Sequence, residues 1–326
     1  MKYLNTEFVK KRISQIGLGT SRFGSVVPEE TAFEFLDFFV EYGGTVVDTA
    51  RNYYEWVENG RGKSEQCLGR WMDKHHNRDE ICVSTKGGVR TKGSEWTIDL
   101  SKQNLCKELA ESLDALHTDY IDIYLLHRDD VNRPVGEIME TLQELQELGR
   151  IGILGAANWS CERIIQANEY AEKHGMQGFD IIQTWWTVAD YTKEMWNDDS
   201  TTHMDRKTID YMRANRLIGM AYTSQSKGFF QKAILNGIDG VDKTLLKRID
   251  SANNRRIFEY LKEYLSNHDV TMTDLVNGYI TSDNVQGIAL VSCSSQEQLL
   301  DILEHCDYDM PSQVIEIIRG MKEGAR

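Results

Sequence analysis

One apolar run ends in Asp48, another in Lys86 and a third in His127, and the phenol of Tyr53 follows in the loop just after Asp48. Brought to one place, a carboxylate, an ammonium, an imidazole and a phenol make an acid catalyst. A free phenol, with a pKa of about 10, is too weak an acid to protonate a developing alkoxide readily at neutral pH, and a nearby ammonium lowers that value. Lys86 is expected to do this for Tyr53. An unpaired buried Lys86 would be costly, so Asp48 is expected to neutralise and orient it, giving a chain from Asp48 through Lys86 to Tyr53. Taken singly, Asp48 reads as a cap or turn residue, Lys86 as surface and His127 as an ordinary satisfied histidine. Only their common placement at strand ends makes them a site.

That placement requires a particular order of elements. Short apolar runs alternate with segments of helical periodicity: Ile16 to Thr20, Thr45 to Asp48, Ile81 to Lys86, Tyr120 to His127, Gly149 to Gly155, Phe179 to Gln183, Leu217 to Tyr222 and Gly287 to Ser292. Between them, Phe33, Leu36 and Val40 mark one helix face and Leu105, Leu109 and Leu113 another. Eight such units in one uninterrupted chain predict a single α/β domain over residues 1–326, a parallel (β/α)8 TIM barrel, with Pro311 to Arg326 forming one further helix. An open dinucleotide-binding sheet fits less well, because Gly17-Leu-Gly19-Thr-Ser-Arg lacks the third glycine of GxGxxG. In a barrel the reactive groups stand at the strand ends. Beyond the four above, these ends carry Asn158, Gln183, Tyr222 and Ser292.

Composition narrows the function. The 326 residues carry 37 Lys+Arg against 51 Asp+Glu, a formal net charge of −14, which opposes general nucleic-acid binding. No apolar run approaches the roughly 20 residues of a membrane span, and the amino terminus has no apolar core before a cleavage site, so the expected compartment is the cytoplasm. Six cysteines without CxxC spacing read as reduced thiols, and His203 with Asp198, Asp199 and Asp205 matches no metal-ligand pattern.

Asp48-Thr-Ala-Arg-Asn-Tyr53, Ser84-Thr-Lys86 and Tyr124-Leu-Leu-His127 resemble the active-site tetrad of the aldo-keto reductases. The resemblance extends over nearly the whole chain, through Gly62-Lys-Ser-Glu65, Gly149-Arg-Ile, Asn158, Gln183 and Ala221-Tyr222. It implies reversible hydride transfer between a nicotinamide cofactor and an aldehyde or ketone. Tyr53 would be general acid and base, and His127 would orient the carbonyl and hydrogen-bond its oxygen. It also implies that Asn158 and Gln183 hold the carboxamide, that Tyr222 stacks on the nicotinamide, and that Ser292, Ser294, Gln298 and Asp301 form the phosphate and adenine end. Ala157 stands where the family commonly has Ser. The family implies NADPH, but this chain has Gln298 and Ile302 where many members carry a cation and Asn, which leaves room for NADH. Lys227 and Lys232 are candidates for the pyrophosphate or plain loop lysines.

Aromatic side chains are plentiful near the expected mouth, and Tyr54, Trp56, Trp185 and Trp186 are the candidates to line a substrate pocket for sugars or hydrophobic carbonyl compounds. Trp159 and Trp196 complete the aromatic supply. Residues 190–204 are polar, acidic and longer than an ordinary loop, suggesting a flap over the cleft. An alternative function is a cofactor-holding redox sensor or regulatory protein of the same fold. A hydrolase built on Asp48 lacks a second strand-end acid.

Overall fold

The computed structural model describes residues 1–4, 11–58, 60–92, 95–190 and 198–323. Its strands are β1 (Tyr3–Leu4), β2 (Ile13–Ser14), β3 (Ile16–Gly19), β4 (Val46–Asp48), β5 (Cys82–Gly87), β6 (Val89–Lys92), β7 (Glu95–Ile98), β8 (Ile121–Leu126), β9 (Ile151–Ala157), β10 (Ile181–Trp185), β11 (Ile218–Tyr222) and β12 (Gln286–Val291). Eight of them, in the order β3-β4-β5-β8-β9-β10-β11-β12, are parallel neighbours and close into a barrel as β12 pairs with β3. These are the eight runs read from the sequence, shifted by no more than two residues at either end.

The period of two along each strand sorts the core into layers. Val46, Cys82, Ile123, Leu125, Ile153, Ile181, Ile218, Met220, Ile288 and Leu290 fill the barrel interior, and Ile13 of the β1–β2 ribbon joins the same cluster. Gly155 leaves space there: a Cβ on it would meet Leu125 Cδ2 at 2.1 Å and the Ile181 carbonyl oxygen at 2.9 Å. The outward strand residues pack beneath the surrounding helices in a second, larger cluster.

The helices begin where the sequence supplies caps. Ser101, Ser160, Asp205, Ser251 and Ser295 each accept a hydrogen bond from a backbone N–H of the first turn. Pro28 precedes Glu29–Glu41, whose buried face is Ala32, Phe35, Leu36 and Phe39. The expected face through Phe33 and Val40 is therefore rotated: both are only partly buried, flanking the Phe35–Phe39 stripe. Gly43, at φ +85°, reverses the chain after this helix, and a Cβ on Gly44 would fall 2.2 Å from the Phe39 ring.

Two departures enrich the barrel. After β5, an antiparallel ribbon of β6 and β7 pairs Val89 with Ile98 and projects from the rim as a separate sheet. Between β11 and β12 the chain runs through the α-helices Phe229–Asn236, Lys243–Ile249, Ala252–Asn267 and Met272–Thr281, more than a single barrel unit requires. A carboxyl-terminal helix, Ser312–Glu323, follows the last barrel unit. Among the described residues no helix is long and apolar enough to cross a membrane.

Candidate active site

Strand β5 builds the centre. Ser84 and Lys86 lie two apart and so share its inward face, opposite the end of β4, where Asp48 is in register with Ser84. Asp48 is gripped through both oxygens: Ser84 Oγ donates to Oδ1 at 2.8 Å and Lys86 Nζ to Oδ2 at 2.7 Å. Gln183 Nε2, from across the barrel, also donates to Oδ1 at 3.0 Å. Lys86 spends its other donors on the Thr49 carbonyl at 2.7 Å and on the Tyr53 hydroxyl at 2.8 Å. Lys86 is 1% and Asp48 2% exposed, so the ion pair is shielded from solvent.

The loop carrying Tyr53 is held from behind. Ser64 Oγ lies 2.7 Å from Thr49 Oγ1 and donates to the Thr20 carbonyl at 2.8 Å. Glu65, fully buried, accepts from Thr85 Oγ1 at 2.6 Å, one residue before Lys86. The Gly62-Lys-Ser-Glu65 element thus braces both the Tyr53 loop and β5 from the start of the helix Lys63–His75.

The electrostatics differ in sign from the sequence expectation. Burial, followed by the charge of Asp48 and its hydrogen bond at 3.3 Å, pushes the Tyr53 phenol well above its ordinary value, although the Arg128 guanidinium opposes the shift. Burial pushes Lys86 down, against the pull of Asp48. The carboxylate that orients the ammonium also offsets its effect on the phenol. At rest, Tyr53 is therefore a phenol holding its proton beside a cation, rather than a hydroxyl already made acidic.

His127 directly follows β8 and its backbone N–H donates to the Gly87 carbonyl at 3.0 Å. Its ring stands edge-on to Tyr53, with centroids 5.9 Å apart and planes at 81°. Burial, then Arg128 and Lys86, push its pKa well below the usual range, so the imidazole is neutral. Asn52 Oδ1 lies 2.8 Å from Nδ1. With the amide oxygen facing the ring, Nδ1 carries the proton and Nε2 offers a lone pair; a half-turn of the same amide reverses both.

Of the expected cofactor residues, Asn158 adopts φ +59°, an uncommon conformation for a non-glycine residue. Its Oδ1 accepts from Tyr222 Oη at 2.7 Å and Thr202 N at 3.3 Å, and its backbone N–H donates to the Gln183 carbonyl at 3.0 Å. Asn158, Gln183 and Tyr222 therefore meet at one side of the rim. Past Tyr222, Thr223, Ser226, Lys227 and Gly228 all have positive φ, and Gly228 precedes the helix Phe229–Asn236. Lys227 is exposed, and its carbonyl accepts from Lys232 Nζ at 3.1 Å. At the other end Ser292, Ser294 and Gln298 are exposed; Ser294 N and Oγ both donate to Gln298 Oε1 at 3.0 Å. Asp301 accepts from Thr273 Oγ1 at 2.7 Å, so it is tied to the neighbouring helix.

The aromatic candidates separate. Tyr54 stacks on Trp56 with centroids 5.0 Å apart, and Trp185 stands edge-on to Tyr222 at 6.0 Å. Trp186 does not reach the mouth. It lies on the outward side, where its ring occupies the space that a Cβ on Gly219 would enter at 2.6 Å, and it belongs to the layer between barrel and helices. The one-residue step from Trp185 turns it to the opposite face of the strand. Trp159 packs edge-on against Phe179 in the core. Of the proposed flap, residues 191–197, including Trp196, lie outside the described residues; Trp185 N and O bond Thr202 O and Met204 N at 3.1 and 2.8 Å, which fixes its far end against β10.

Sequence reasoning gave no role to Asn52, Arg128 or Trp96. Two of them had a signal: Asn52 and Arg128 adjoin Tyr53 and His127 in the chain, and neighbours of strand-end residues share the same rim. Trp96 had none, because it arrives on the ribbon.

The family model described as the aldo/keto reductase family matches residues 15–323. Similar curated proteins include norsolorinic acid reductase B of Dothistroma septosporum, 34% identical over 191 residues, covering 55% of this chain and 47% of the relative. Norsolorinic acid reductase stcV of Emericella nidulans is 35% identical over 199 residues, covering 56% of this chain and 50% of the relative. An aryl-alcohol dehydrogenase of Pestalotiopsis microspora is 32% identical over 185 residues, covering 53% and 46%. The matches thus span about half the length of these relatives. With a barrel of the expected topology and a family match over nearly its whole length, the chain belongs to the aldo/keto reductase family.

Proposed function

We propose that the protein is an NAD(P)H-dependent oxidoreductase that reduces an aldehyde or ketone to an alcohol, and can run in reverse, with Tyr53 as the acid in reduction and the base in oxidation. The observation that carries this reading is Lys86 Nζ, 2.8 Å from the Tyr53 hydroxyl and 2.7 Å from Asp48. A nicotinamide dinucleotide, when bound, supplies the hydride that no side chain can. The residues fit such a group: paired amides at Asn158 and Gln183 beside the Tyr222 ring, and a left-handed turn leading into a helix amino terminus, which suits a phosphate. Ser292, Ser294, Gln298 and Asp301 would hold the adenine end, for NADPH or NADH.

As the carbonyl carbon is reduced, the π pair of the C=O bond moves onto oxygen, and the Tyr53 O–H bond breaks to give that oxygen its proton. The resulting phenolate lies against the Lys86 ammonium, so the cation matters most at the moment negative charge forms. The raised resting pKa of Tyr53 keeps its proton in place until then. His127 orients the carbonyl through Nε2, which becomes a donor when the Asn52 amide makes its half-turn.

Tyr53→Phe tests this. Turnover of an aldehyde panel should fall by about 10²-fold or more, while the affinity for NADPH and NADH, read from tryptophan fluorescence, persists. Wild-type-like turnover by this variant would overturn the acid assignment. Cofactor binding by the unaltered protein with no turnover of any carbonyl would instead favour the regulatory reading.

A further inference from the structure

The contacts around Tyr53 close into an arc. Tyr54 stacks on Trp56 at 5.0 Å and 30°; Trp56 meets Trp96 of the ribbon at 6.0 Å and 31°. The Arg128 guanidinium lies 5.8 Å from the Trp96 ring centroid and donates through Nη1 to the His127 carbonyl at 2.9 Å. His127 returns to Tyr53. One wall of the mouth therefore runs from the proton donor across three aromatic rings to a cation, and back to the imidazole. Trp56 and Trp96 are 50% and 49% exposed, while Arg128 is only 8% exposed. Large exposed indoles at a reaction mouth, fixed by stacking, are a ready surface for a ligand.

Arg128 is unusual in this wall. Its Nε is held by Ser200 Oγ at 3.0 Å, but its Nη2 sits 3.7 Å from Asp198, beyond hydrogen-bond reach. Asp198 instead accepts from Ser200 N and Oγ through its Oδ1 at 3.0 and 2.6 Å. A nearly buried guanidinium, pinned by Ser200 and the His127 carbonyl and only loosely ion-paired to Asp198 at 3.7 Å, keeps Nη2 donors for a closer anion. We propose that this wall is the specificity site for carbonyl substrates that carry an aromatic ring and a carboxylate, the ring lying along Tyr54, Trp56 and Trp96 and the carboxylate on Arg128. The half-exposed indoles of Trp56 and Trp96 offer apolar surface to a flat aryl group, and a planar guanidinium beside Trp96 binds a carboxylate through two parallel N–H bonds. The inference rests on the reading of Tyr53 as proton donor to a carbonyl.

The test compares 4-carboxybenzaldehyde with its uncharged methyl ester in the full chain with NADPH. The unaltered protein should favour the acid in kcat/KM by about tenfold or more. Arg128→Gln should bring the acid-to-ester ratio to about one, and Arg128→Lys should retain part of the preference. The ratio removes any general effect of Arg128 on Tyr53 and His127, which both substrates share. Trp96→Ala should raise KM for both aryl aldehydes several-fold more than for propanal. Binding of 4-methylbenzoate against its uncharged methyl ester, read by tryptophan fluorescence, gives the same comparison without turnover. It therefore separates failure of this inference from failure of the proposed reaction. An acid-to-ester ratio near one in the unaltered protein, or a preference that survives Arg128→Gln, overturns the proposal.

Discussion

Asp48→Asn replaces a charge while keeping the shape, and it tests whether the carboxylate maintains Lys86 as a cation. Asp48 Oδ2 lies 2.7 Å from Lys86 Nζ, and at an effective dielectric of about 20 two unit charges at that separation attract by about 6 kcal/mol. Burial already pushes the ammonium pKa down, and the pull of Asp48 is the strongest force acting against it. Since one pKa unit corresponds to about 1.4 kcal/mol, loss of even a third of the attraction lowers the Lys86 pKa by more than one unit. The same change removes the carboxylate charge that helps to hold Tyr53 up, so the phenol pKa falls as well. Both shifts have one sign, and both shorten the pH range over which a protonated phenol stands beside an ammonium. The kcat/KM profile for aldehyde reduction should therefore begin its alkaline decline more than one pH unit earlier than in the unaltered enzyme, with kcat at neutral pH down by about 10²-fold. Steady-state rates across a pH series, alongside cofactor affinity, check this. An alkaline limb that stays in place would mean that Asp48 does not govern the ionisation of this pair.

Asn52 offers a second lever. Asn52→Leu removes the partner of His127 Nδ1 and should lower kcat by about tenfold with a smaller change in KM. Asn52→Asp should fix the proton on Nδ1 and raise the imidazole pKa, bringing an acid limb into a pH range where the unaltered enzyme shows none, because its depressed histidine stays neutral there. Identical acid limbs in the two proteins would refute the role given to this amide. Gly155→Ala tests the barrel interior: a Cβ 2.9 Å from the Ile181 carbonyl oxygen cannot be accommodated by rotating a side chain alone. The substitution should cost about 1–3 kcal/mol, measured by denaturant titration, and an undiminished midpoint would show that the strands shift freely.

The convergence of Asp48, Tyr53, Lys86 and His127 was legible in the sequence because βα alternation is a strong periodic signal and Asp48, Lys86 and His127 each end, or closely follow, an apolar run. Their order in the chain became their order around the barrel. Side-chain direction was less readable. Trp185 and Trp186 are equivalent in composition, and only strand register sends one toward Tyr222 and the other into the outer core. The rotated face of Glu29–Glu41 has a similar origin, since Phe33, Phe35, Phe38 and Phe39 offer several helical stripes and packing against the barrel selects one. The ribbon of β6 and β7 escaped notice because Val89-Arg-Thr-Lys92 and Glu95-Trp-Thr-Ile98 are short and mostly polar. The sign of the Tyr53 shift was out of reach for another reason: it depends on how far burial and Asp48 outweigh the Arg128 cation, which residue types alone do not specify.

That ribbon hydrogen-bonds as a sheet of its own, outside the closed ladder of the barrel. Its sequence is thus not bound by the ladder register that sets Asp48 beside Ser84. Lineages could replace the hairpin wholesale, or recombine it, and retune which molecules are admitted while inheriting the underlying chemistry intact. A chimera bearing a foreign hairpin between Gly88 and Asp99 would separate inherited reactivity from acquired selectivity in a single cloning step.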